Sequence, residues 1–384
     1  MKYRFLQTKA LRSLMVMGIA LCGAVANAQL TVPVAGSSLS LKFGGRINMD
    51  LGTYLGADDD KANRNGCSIN DSRLGITADF DTVWQAKMEI AYANKAIAFR
   101  DVYVRRAFKN GNELKIGNIF MPFGLKPGGL AYKFIETACP DQTFTPLRKL
   151  GLLYSRTTPK FNWAAGIYSD GSVDTKSTNS GYLLMAHALV RPIDAGGTIL
   201  HIGTSAQWIH PSTTFSYSVI VPETFQAAKV ASTPAFDAYN YGKFEAQVLY
   251  ICRRFYAEAH YLHSWVNLPN EVTTTNSEGN SFTTPQDNYD AHGVYVQTSW
   301  RIFGDNQNYN RKTGIAGNPG GKAAEVLLRY AQTDLEAYGL VNDVTIGFNY
   351  FFNKYLRAKV NYAHSAVKDG RKYDVLQARL QFSF

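Results

Sequence analysis

Beyond its first 28 residues the chain has no apolar run of about 18 residues or more, and this excludes a membrane-spanning helix. Cysteine is scarce. Cys67, Cys139 and Cys252 follow residue 28, none at the spacing of a metal site or redox pair, and an odd number leaves at least one thiol unpaired. Charge of one sign is lacking too. Without residues 1–28 the chain has 384 − 28 = 356 residues and a net charge of 36 − 30 = +6. Its Lys and Arg are dispersed instead of clustered among stacking aromatics, which excludes a nucleic-acid partner. His260 and His263 are three apart, so on a strand they point to opposite faces and cannot share a metal. No cofactor is implied.

What is present begins with Lys2, Arg4, Lys9 and Arg12 ahead of an apolar run, Leu14 to Val25, that closes on Ala26-Asn27-Ala28. This pattern predicts a secretory signal peptide, residues 1–28, with the mature domain spanning 29–384. Cys22 is a poor lipidation site because Leu21 stands where a small residue is wanted. The 23 Tyr and 22 Phe then need an apolar phase to sit in, either one contiguous core or two girdles at membrane interfaces.

Periodicity chooses between them. Leu39, Leu41, Phe43, Gly45, Ile47, Met49 and Leu51 alternate with Ser40, Lys42, Gly44, Arg46, Asn48 and Asp50. One face is apolar and long enough to cross a bilayer at a tilt; the other carries both charges and needs water. Trp84 to Tyr92, Phe244 to Tyr250 and Val344 to Phe352 repeat the pattern, and Leu376, Ala378, Leu380, Phe382 and Phe384 close the chain on it. A secreted β-sandwich would leave such an apolar edge open to aggregation, whereas a closed barrel has no edge.

The predicted architecture is all-β, a transmembrane antiparallel β-barrel. Sixteen strands are expected near 39–55, 69–80, 83–93, 98–108, 112–119, 150–157, 160–170, 181–191, 197–210, 239–251, 253–266, 289–303, 323–334, 342–353, 355–366 and 372–384. Short turns alternate with long connections at 56–68, 120–149, 171–180, 211–238 and 267–288, as a barrel with periplasmic turns and external loops requires. Phe215 to Val221 could add a strand, but parity argues against seventeen. Residues 304–322 make an Asn- and Gly-rich turn too long for its periplasmic position.

Several stretches then carry a family resemblance in order: Ser72-Arg73-Leu74-Gly75, Phe99 to Val104, Leu114 to Gly124, Arg148-Lys149-Leu150-Gly151, Leu200-His201-Ile202-Gly203 and Leu380 to Phe384. Over the mature length the chain resembles the phosphate-selective porin O and P family. The resemblance implies a trimeric sixteen-stranded barrel in the outer membrane, bathed by its lipids, that passes small anions through a lumen narrowed by an inward-folded third loop. Phe384 resembles the terminal signal read by barrel-assembly machinery. Where phosphate-selective members resemble one another in an arginine-rich opening to the second strand, this chain has Ile69-Asn70-Asp71-Ser72-Arg73, so only Arg73 survives and Asp71 offsets it.

The expected pore lining is Lys42, Arg46, Arg73, Arg105 and Lys115 on the wall and Lys126, Lys133, Arg148 and Lys149 in the third loop. Asp50, Asp71, Asp101, Glu136 and Asp141 oppose them, leaving a mixed lining with a positive excess and a weak preference for anions over any specific binding of phosphate. The seven histidines show no Ser-His arrangement of an outer-membrane phospholipase, so no enzyme is expected. Only about ten residues precede Leu39 in the mature chain, too few for a receptor's plug domain. A barrel acting as an adhesin is the alternative, distinguished by the absence of conductance.

Overall fold

The computed structural model describes residues 30–57 except 35, and then 65–93, 96–124, 133–171, 181–222, 229–275 and 281–384. The predicted signal peptide, Lys126, and the Pro127 to Gly129 part of the third loop lie outside the described residues.

Alternation of apolar and polar residues turns each segment into a strand with one greasy and one wet face. In chain order these are β1 (Leu30–Pro33), β2 (Leu39–Ala57), β3 (Gly66–Phe80), β4 (Trp84–Ala93), β5 (Ala96–Ala107), β6 (Asn112–Phe120), β7 (Arg148–Thr157), β8 (Phe161–Ser169), β9 (Tyr182–Ala195) and β10 (Thr198–His210). After them come β11 (Ser218–Ile220), β12 (Lys229–Ser232), β13 (Asn240–Cys252), β14 (Phe255–Asn267), β15 (Glu271–Thr275), β16 (Ser281–Pro285), β17 (Tyr289–Phe303), β18 (Asn308–Asn310) and β19 (Ile315–Gly317). The last are β20 (Ala323–Asp334), β21 (Leu340–Phe351), β22 (Leu356–Val367) and β23 (Lys372–Ser383).

Sixteen of these strands pair antiparallel with their neighbours, and β23 returns to β2 from Arg46↔Ser383 to Ala57↔Tyr373, so the sheet closes into a barrel. At the seam the N–H of Phe384 donates to the Gly45 carbonyl and that of Gly45 to the Phe384 carbonyl, both at 3.0 Å. β1 pairs with the stretch of β2 that β23 does not reach, Leu30↔Phe43 to Pro33↔Ser40, and so covers an edge that would otherwise be bare.

The sixteen strands coincide with the predicted segments to within a few residues. β9 differs most, running through Pro192 to Ala195; proline normally stops a central strand, but here the register shifts opposite it, between Leu200 and Ile202. Phe215 to Val221 contributes no barrel strand, because β11 pairs with β12 in a small sheet of its own. The unexplained turn at 304–322 contains a hairpin, β18 with β19.

The two faces separate as alternation requires. Leu184, Val190, Leu328, Ile346, Val360 and Leu380 are exposed on the outside, where a bilayer would cover them, while Arg329, Asn349, Lys359 and Gln381, on four of the same strands, are buried inside. Inward side chains of β9, β10, β13, β14, β17 and β20 to β23 are buried; those of β3 to β7 are mostly half-exposed. The open space inside the barrel therefore runs along the β3–β7 wall.

Candidate pore lining and constriction

Antiparallel register places like charges opposite one another on this wall. Arg46 faces Arg73 across β2 and β3, and Arg105 faces Lys115 across β5 and β6. Such pairs are destabilising unless an anion bridges them, and in both cases one does. Asp71 accepts from Arg46 Nε at 2.8 Å and from Arg73 Nε at 2.9 Å. Glu113 lies 2.7 Å from Arg105 and 4.0 Å from Lys115.

The bridges join into a row. Arg73 reaches Glu89 at 3.1 Å, Lys87 lies 3.3 Å from Glu89 and 2.6 Å from Asp101, and Arg148 closes on Asp101 at 2.6 Å. Cation and carboxylate thus alternate from β2 to β7. Lys42 pairs with Asp79 at 2.8 Å and Lys149 with Asp170 at 3.1 Å, one at each end of the wall.

A family model for the phosphate-selective porins O and P matches residues 41–384, all but the first two residues of this closed barrel. The chain belongs to that family. It is accordingly an outer-membrane β-barrel of the porin type. Solved structures share the fold at low identity. A loop-deletion form of OmpT from Vibrio cholerae is 13% identical with a TM-score of 0.59, covering 90% of this chain and 100% of that one. The outer-membrane channel DcaP of Acinetobacter baumannii gives 12% and 0.55, covering 92% and 100%. An anion-selective porin from Comamonas acidovorans gives 15% and 0.52, covering 90% and 100%. OmpT also has a trimer form. No curated protein sequence matches the chain.

Of the porin's expected lining residues, Lys42, Arg46, Arg73, Arg105, Lys115, Arg148 and Lys149 stand on one wall, every one of them paired with a carboxylate. Lys133 needs correcting. Expected in the pore lining, it is 6% exposed, with its ammonium 2.9 Å from both Glu325 and Gln307 and over the Tyr256 ring. Burial pushes that ammonium below its usual pKa, with Glu325 pulling it back.

Sequence reading missed Lys87, Glu89, Arg100, Glu113 and Asp170. Lys87 and Glu89 alternate in step with their strand and could have been found. Arg100 could not, since the register shifts between Met88 and Ile90 opposite it. The charges that act on it are Arg73, Asp71, Arg148 and Glu89.

On the filled side, inward cations engage the backbone around Lys133. Arg329 donates to the Glu136 carbonyl at 2.8 Å, Lys359 to that of Phe134 at 3.2 Å and Arg379 to that of Ile135 at 2.7 Å. Arg379 also holds Asp50 at 2.6 Å, which removes that carboxylate from the open wall. A short helix, Cys139–Phe144, follows and packs with Phe123, Tyr217 and Phe236 against Leu262, Tyr295 and Val341. Gly124 turns the chain there at φ +66°; a Cβ would stand 2.2 Å from the Thr145 hydroxyl. Asp141, buried in the helix, accepts from that hydroxyl at 3.0 Å, and burial raises its carboxyl pKa to about 6.

The hairpin at 304–322 reaches the opposite wall. The Arg311 carbonyl accepts from Asn162 at 2.7 Å, the Arg311 guanidinium pairs with Asp194, Tyr309 meets His201 at 3.0 Å, and Lys312 pairs with Glu113. The long turn is thus explained as a structured crossing of the barrel end that carries the short turns. Cys67, Cys139 and Cys252 are all free thiols. His260 is buried between Glu245 and Glu258, whereas His263 sits on the outer face 3.1 Å from Asp290.

Proposed function

We propose that this porin is a water-filled channel for passive diffusion of small solutes, weakly selective for anions and without a specific phosphate site. The carrying observation is the charge balance of the open wall. Nine cations, Lys42, Arg46, Arg73, Lys87, Arg100, Arg105, Lys115, Arg148 and Lys149, face six carboxylates, Asp71, Asp79, Glu89, Asp101, Glu113 and Asp170, a surplus of 9 − 6 = 3. A cation about 5 Å from a passing monovalent anion is worth about 0.8 kcal/mol in water, a roughly fourfold preference. Phosphate needs more, a set of guanidinium forks free to grip it. Arg46 and Arg73 are already occupied by Asp71.

In this reading residues 120–149 fold inward as the third loop and narrow the lumen, supported by the bonds from Arg329, Lys359 and Arg379 to the carbonyls of residues 134–136. Residues 1–28 are cleaved on export, Phe384 serves as the assembly signal at the seam, and the mature porin is a homotrimer, as OmpT can be. Kinship with non-enzymatic channel folds, an anion-selective porin among them, supports the assignment. Planar-bilayer recording across a KCl gradient tests it. The expected reversal potential has the polarity of chloride preference, and micromolar phosphate leaves the current intact. A cation-selective potential or a silent barrel refutes the proposal, and strong phosphate block restores the phosphate site.

A further inference from the structure

We infer that the organic solutes this porin passes best are zwitterions of amino-acid size, with a resting subsite in the cavity between β6–β9 and the 304–322 hairpin. The inference rests on the open wall being the solute path. The cavity has a volume of about 240 Å³ and carries charges of both signs: Asp101 and Glu113 against Lys115, Arg148, Arg156 and Lys312. Leu153 and Ile315 supply an apolar patch beside them.

Most of these charges are already spent on one another. Arg148 holds Asp101 at 2.6 Å, and Glu113 is shared among Arg105, Lys115 and the hairpin's Lys312. A simple anion that draws Arg148 toward itself weakens its pair with Asp101, which offsets part of what it gains. A zwitterion behaves differently. It offers a carboxylate to the cation and an ammonium to the abandoned carboxylate, so one opened ion pair re-forms as two. The row from Arg46 through Asp71, Arg73, Glu89, Lys87 and Asp101 to Arg148 repeats that exchange along the wall, each step a few ångströms from the last. An apolar patch in the cavity suits a solute with a small side chain and adds nothing for an inorganic oxyanion.

Lys312 matters because it comes from the hairpin and not from the wall. By seating on Glu113 it both floors the cavity and completes its charge set.

Proteoliposome swelling with three size-matched probes tests the inference: alanine as zwitterion, lactate as anion and lactamide as neutral solute. For the wild-type porin, alanine is expected to enter faster than lactamide by about fourfold, the value of one ion contact in water, and faster than lactate. Glu113→Gln should lower the alanine-to-lactate ratio, because the carboxylate that receives the ammonium is gone. Lys312→Met, which leaves the barrel wall untouched, should lower alanine entry as well. Alanine entering no faster than lactamide, or lactate leading in the wild type, overturns the inference while leaving the pore intact. Exclusion of all three probes refutes the pore reading and the inference together.

Discussion

Replacing Asp71 by Asn isolates the residue that most dampens this porin's charge. Asp71 stands between Arg46 and Arg73, whose backbones are directly opposite, and it is the only carboxylate that touches both among the described residues. The amide keeps its volume and one acceptor while removing the negative charge, so the pair of guanidiniums goes from a net +1 with Asp71 to a net +2. A monovalent ion about 5 Å away feels roughly 0.8 kcal/mol per unit charge in water. At 0.1 M salt the Debye length of about 10 Å cuts this by about 40%, to about 0.5 kcal/mol. That is about 2.3-fold in favour of chloride and the same factor against potassium, so their permeability ratio should rise about fivefold. A KCl gradient in planar bilayers reads the ratio from the reversal potential, and heat-modifiability on a gel checks that the barrel is folded. At 1 M salt the screening length falls to about 3 Å and the rise in the ratio should shrink to below about twofold. A folded Asp71→Asn porin with an unchanged reversal potential, or one shifted toward potassium, would show that this pair lies off the ion path.

Two further outcomes concern the segment that carries Lys133 and Asp141. Lys133→Met leaves Glu325 buried with Arg301 at 3.7 Å as its remaining cation, so the heat-modification temperature should drop in line with a loss near about 3 kcal/mol, and conductance should rise as the segment loosens. Adding Glu325→Gln should recover part of the loss; equal stability of the single variant and wild type would refute the pair's role. Asp141 has its folded pKa raised by burial from 3.8 to about 6, so stability is greatest below the unfolded pKa and is lost as pH rises through about 6, by about 3 kcal/mol in full. Asp141→Asn should remove that decline between pH 4 and 7, and a variant whose pH profile parallels wild type would show that the carboxyl does not titrate there.

Much of the barrel was legible because its rule is local. Residues alternate faces with period two wherever a strand separates lipid from water, so Leu39 to Leu51 and Leu376 to Phe384 declared both their faces and their role at the seam. The wall cations were legible for the same reason: Lys42, Arg46, Arg105 and Lys115 fall on the phase opposite the apolar residues. Their partners were harder. Glu89 answers Arg73 from sixteen residues away, and which carboxylate meets which cation depends on register. Two register shifts, after Asn48 and after Met88, alter that register without any mark in the sequence.

Strand number and the two faces were thus determined by the sequence alone, through backbone geometry that acts over neighbouring residues. Only the tertiary structure decided that Lys133 is buried against Glu325, 192 residues away, and that the hairpin at 304–322 crosses to Glu113 on the far wall. Neither segment has a period to read. Each is held by contacts with inward side chains of distant strands, and those side chains come together only when the barrel has closed and brought its two halves face to face.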